Sequence, residues 1–99
     1  MLVEKVYNLD SFQRQYEALL TLSVCDTIPN LIWNKDKLTL LSLIDWDNML
    51  SIASLFCYSE ENKYVDAALR IAQTCILQES CTENQKNAAA FILLFALFL

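Results

Sequence analysis

Apolar stripes separated by short polar breaks run the length of the chain, and the stripes recur at helical rather than strand period. Phe12, Tyr16, Leu19, Leu20 and Val24 follow one another at steps of 4, 3, 1 and 4, with Arg14, Gln15 and Glu17 on the other side. One face of a helix with 3.6 residues per turn repeats this way. Asp10 and Gln13 stand ahead of that stripe at capping-box spacing, which predicts a helix starting there. Pro29 disfavours the α region for Ile28 and has no amide proton to donate, so the helix should end before it. Residues 1–7 fit either an extended lead-in or a first helical turn. Leu38, Leu40, Leu41, Leu43 and Ile44 are too dense for period alone to separate helix from buried strand. With no Gly turn nearby and no second strand to pair with, a short helix capped by Asn34 or Asp36 is expected.

The second half is clearer. Asp45 precedes Trp46, Met49, Leu50, Ala53, Phe56 and Cys57, a stripe that Ser59-Glu60-Glu61-Asn62 breaks with four polar residues. Tyr64, Ala67, Ala68, Leu69, Ile71, Ala72, Cys75 and Ile76 form the next, and its small Ala residues would let a neighbouring axis come close. After Glu79-Ser80-Cys81, the pair Thr82 and Gln85 repeats the capping-box spacing and opens a last helix from Glu83. The expected fold is all-α: about five antiparallel helices in a bundle or a short α-solenoid segment, forming one domain over residues 1–99. That domain is expected to be the N-terminal part of a larger protein.

Composition narrows the chemistry. The 99 residues include no Gly and no His. Without Gly there is no residue suited to phosphate-cradling loops, nucleophile elbows or tight hairpins that need positive φ. Lacking His removes the commonest general base and metal ligand. Seven Lys and Arg against twelve Asp and Glu leave a net charge of −5. Lys5, Arg14, Lys35, Lys37, Lys63, Arg70 and Lys86 are scattered rather than striped, so no direct nucleic-acid binding is expected. Cys25, Cys57, Cys75 and Cys81 form no CxxC pair and follow no apolar leader segment; they read as free thiols in a reducing cytoplasm. Asp45/Asp47 and Glu60/Glu61 diverge in direction and suit helix starts and solvated loops better than acid/base catalysis. No enzyme activity, cofactor or metal is expected.

The last twelve residues, Ala88 to Leu99, are all apolar. As a helix they would span about 18 Å, short of the roughly 30 Å of a bilayer core, so a membrane tail is the lesser alternative. Phe91, Leu94 and Phe98 lie on a different side from Ile92, Phe95 and Leu99. A helix apolar on both sides must be surrounded, either by the rest of this chain or by protein beyond it. Trp46 fits the core, whereas Trp33, beside Asn34 and Lys35 at a connection, is a candidate interface anchor together with Phe91, Leu94, Phe95, Phe98 and Leu99.

Tyr64 to Gln73, then Thr82 and Gln85 to Leu93, resemble the helix-turn-helix units of α-solenoid and tetratricopeptide-like modules. The same stretch is similar to helical segments that precede the motor in some large bacterial DEAD/DEAH-type helicases. The Gly and the closing Pro of the tetratricopeptide pattern are missing from this half. The helicase resemblance implies an accessory helical domain, with ATP-driven strand separation lying outside these residues. The expected function is a non-catalytic interaction or scaffold module of a cytoplasmic protein. Its expected partner is another protein, further domains of the same chain, or a second copy.

Overall fold

The computed structural model describes residues 9–27 and 39–97. Among them the chain is helical with no strand, an all-α fold. Four helices span Leu9–Thr27 (α1), Trp46–Phe56 (α2), Asn62–Leu77 (α3) and Glu83–Leu97 (α4), and residues 39–43 are also helical. The chain divides into two compact units, Met1–Asp45 and Trp46–Leu99.

In the first unit, α1 continues as far as Thr27, two residues short of Pro29. Phe12, Ala18, Leu19 and Leu22 are buried, and Phe12 stacks on Tyr16 with ring centroids 5.6 Å apart. Asp10 lies inside the first turn rather than capping it, and Gln13 reaches forward to Glu17 at 3.4 Å instead of back to Asp10. The capping-box reading of that pair is therefore corrected: the helix has already begun at Leu9, so Gln13 joins an i,i+4 pair. Residues 39–43 confirm helix over strand, and the turn after them is fixed when the Asp45 amide donates to Gln15 Oε1 at 2.9 Å.

The second unit is built on α3. Its Ala67, Ala68, Ile71, Ala72 and Cys75 are buried, and it packs along both α2 and α4, which touch each other less. All six positions of the Trp46–Cys57 stripe are buried, and so is Ile52. The Thr82–Gln85 capping box forms in full. The Thr82 amide donates to Gln85 Oε1 at 2.9 Å, and the Gln85 amide donates to Thr82 Oγ1 at 3.1 Å. Two otherwise orphaned donors are satisfied this way. No described residue has positive φ. Without Gly, α3 ends through an extended cap. Gln78 follows α3 at φ −89°, ψ 123°, with its amide donating to the Cys75 carbonyl, instead of taking the left-handed turn that Gly favours.

Contacts at the helix ends set the directions. Phe56 meets Tyr64 at 4.8 Å where α2 gives way to α3. Gln85 Nε2 donates to Asp47 Oδ1 at 3.0 Å, tying the start of α4 to the start of α2. Tyr58 meets Phe95 at 4.9 Å at their other ends. Thus α2 and α4 run parallel, and α3 runs antiparallel between them.

Candidate functional site: an open apolar groove between two parallel helices

Part of the surface of the second unit that α3 leaves uncovered is apolar. Ser54, Cys57 and Tyr58, from α2 and the turn after it, face Ala88, Phe91, Ile92, Leu94 and Phe95 of α4 across a groove of about 570 Å³. Ile92 and Cys57 are buried and form its floor, while Tyr58 and Phe91 are each 73% exposed on its walls. Leu94 and Phe95 are exposed as well.

Local rules place these side chains. In α4, Ala89 and Ile92 share the face turned inward and are buried, as residues three apart on a helix do. Phe91, Leu94 and Phe95 sit on the adjoining face, and the capping box with its Gln85–Asp47 bond holds that face beside α2. Tyr58 is reached through the turn closing α2, where its amide donates to the Leu55 carbonyl. The groove continues at both ends. Toward the helix starts it is walled by Asp47, Ser51, Ser54, Asn84 and Gln85. Toward the helix ends an adjoining hollow shares Cys57, Tyr58 and Phe95 with it and is lined as well by Glu60 and by Asn62 and Val65 of α3.

Of the six interface residues expected from sequence, the structure brings Phe91, Leu94 and Phe95 together on this wall. Trp33, Phe98 and Leu99 lie outside the described residues. Trp46 is buried, as its place in the stripe predicts. Sequence reasoning missed Tyr58, the main aromatic contribution from the opposite wall. Its signal was its position directly after Cys57, where the apolar stripe gives way to polar residues.

Among the described residues the thiols of Cys57, Cys75 and Cys81 are buried and free, and the Cys25 side chain lies outside them. The Cys75 and Cys81 thiols lie close enough across the α3–α4 connection for each to shift the other's proton affinity. Burial pushes Cys57 upward. It raises Cys75 too, opposed by the neighbouring Cys81 thiol and the Lys86 charge. Cys81 is pushed up to about 12, by burial first and then by its contact with Cys75. Protonated, enclosed thiols are poor nucleophiles and poor metal ligands. Among the described residues no three His, Cys, Asp or Glu side chains gather as a metal site would require. No described helix is long and apolar enough to cross a membrane.

No protein-family model matches the sequence, and comparison with curated proteins and with solved structures returns no significant match.

Proposed function

We propose that the chain is a non-catalytic protein-interaction module acting through the open apolar face of α2 and α4. One observation carries the reading: Tyr58, Phe91, Leu94 and Phe95 form a contiguous exposed patch rather than scattered single side chains. Isolated apolar residues are ordinary on a surface, but a joined patch with aromatic walls around a concave floor is what docking sites present. The side-chain chemistry supports binding over catalysis, because the buried thiols hold their protons and the sequence has no His to activate them.

The test is site-specific photo-crosslinking in cells. A benzophenone amino acid replaces Phe91 in one version and exposed Gln73 on α3 in another. A discrete adduct from position 91, absent from position 73, is the expected result. Equal labelling at both positions, or none at either, overturns the reading.

A further inference from the structure

The arrangement of α2, α3 and α4 also constrains what the groove receives. The helices alternate in direction, and α3 lies against both neighbours while α2 and α4 touch less. Three corners of an up-down four-helix bundle look like this, and the missing corner borders α2 and α4 and runs antiparallel to both. The groove occupies that corner along the exposed length of α2 and α4. From Asn84 to Ala96 it is walled by about 18 Å of α4, the rise of some 12 helical residues.

Area and charge choose between occupants. At about 150–250 Å² per aromatic side chain, the exposed parts of Tyr58, Phe91 and Phe95 leave roughly 300–450 Å² of ring surface open. A standard interface between two whole proteins takes about 800 Å² from each partner. The patch is half that, the scale of a single helix laid in a groove. Asp47 and Glu60 stand at its two ends. The last turns of α2 and α4 carry no basic residue. Residues 46–99 hold six acidic and three basic side chains, so a second copy would bring like charge to an already acidic rim.

We propose that the α2–α4 groove seats one short amphipathic helix of a basic partner protein, antiparallel to both walls. Its apolar face covers Phe91, Leu94 and the touching rings of Tyr58 and Phe95, and its Lys or Arg residues meet Glu60 and Asp47. The assignment rests on the interaction-module reading and adds the occupant.

The probe is a labelled synthetic helix of about 14 residues with Leu at i, i+3, i+7 and i+10 and Lys at both flanks. It is titrated by fluorescence anisotropy against the full chain and compared with a twin carrying Glu for Lys. The Lys helix should bind at least tenfold more tightly than the twin and weaken as salt rises. Tyr58→Ala and Phe91→Ala should each lower its affinity tenfold or more with the circular dichroism spectrum unchanged. Asp47→Asn with Glu60→Gln should flatten the salt dependence. Equal binding of both helices overturns the basic partner. If neither binds and the chain sediments as a dimer that Phe91→Ala dissociates, the occupant is a second copy. This inference then fails while the interaction-module reading stands. If neither binds, the chain stays monomeric and position 91 gives no adduct, both fail.

Discussion

Helices α3 and α4 are neighbours of similar length, yet apart from Ile76 and Leu77, exposed in the last turn of α3, they dispose their apolar residues in opposite ways. Helix α3 gathers small residues, Ala67, Ala68 and Ala72 with Ile71 and Cys75, on faces that disappear against α2 and α4. Helix α4 is apolar all round from Ala88 onward, and it buries Ala89 and Ile92 while leaving Phe91, Leu94 and Phe95 outside. Hydrophobic content therefore does not decide what is covered. Small side chains let helix axes approach and seal a seam, whereas the bulky ones of α4 stand where no helix of this unit arrives. The first helix buries its small-residue faces within the unit, and the second keeps an outer face exposed, which the proposed interaction would use.

The strongest way to break this contrast is a cavity in the sealed face. Ile71 is fully buried on α3, and Ile71→Ala should cost about 2–5 kcal/mol through lost burial and an incompletely collapsed void. Urea unfolding followed by circular dichroism measures it. A loss under 1 kcal/mol would mean the seam is loosely packed. Next comes alkali, which probes whether the α3–α4 connection is dry. Cys81, 6% exposed, releases its proton near 12 in the folded chain against an ordinary 9.0. Between those values the unfolded chain gives up a proton that the folded chain keeps. Stability is thus full below pH 9 and falls as pH rises above it, by at most about 1.4 kcal/mol per pH unit for one thiol. Thermal melts from pH 8 to 11 should show the decline, and Cys81→Ala should flatten it. Identical slopes in the two proteins would refute the role given to burial.

How much of this was legible beforehand differs from element to element. The Trp46–Cys57 stripe was readable because residues of one face recur at fixed steps, and every member of it is buried. Ile52 escaped because α2 is covered across more than a single stripe. The same spacing meant different things at two places: Thr82 and Gln85 cap α4 reciprocally, while Asp10 and Gln13 do not cap α1. A side chain can close a box only where the helix actually begins, and spacing does not carry that information. Which side of α4 is covered was illegible for a stronger reason. Both its sides are apolar, so the choice falls to neighbours far along the chain, through contacts such as Gln85 to Asp47, 38 residues apart. The groove became visible only once α2 and α4 were placed side by side.

Smaller effects sharpen the contrast. Thr82→Ala removes the hydroxyl that accepts the Gln85 amide and should cost about 1 kcal/mol, the usual loss for a cap. The same urea experiment reports it, and a change below 0.3 kcal/mol would show that α4 holds its start by other means. That helix start also carries the Gln85–Asp47 bond, so Thr82→Ala should weaken the groove's alignment as well as the fold. A loss of affinity for the Lys-flanked helix would then accompany a loss of stability, the signature of a supporting residue.

Phe91→Ala should do the reverse, and it is the smallest stability change expected. The ring is 73% exposed, so truncation forfeits little burial in the isolated chain. Ala is also the better helix former, by about half a kcal/mol. The two effects oppose each other, and the unfolding free energy should stay within about 0.5 kcal/mol of the parent, as surface substitutions generally do. A Phe that contributed to a core would cost about 3–5 kcal/mol on the same truncation. One denaturation curve separates the alternatives, because the gap between them is several times the error of the method. Near-parental stability together with lost binding would mean that the outer face of α4 is kept for a partner. A loss above 2 kcal/mol would mean that this chain covers Phe91 itself, and the distinction drawn between α3 and α4 would go with it.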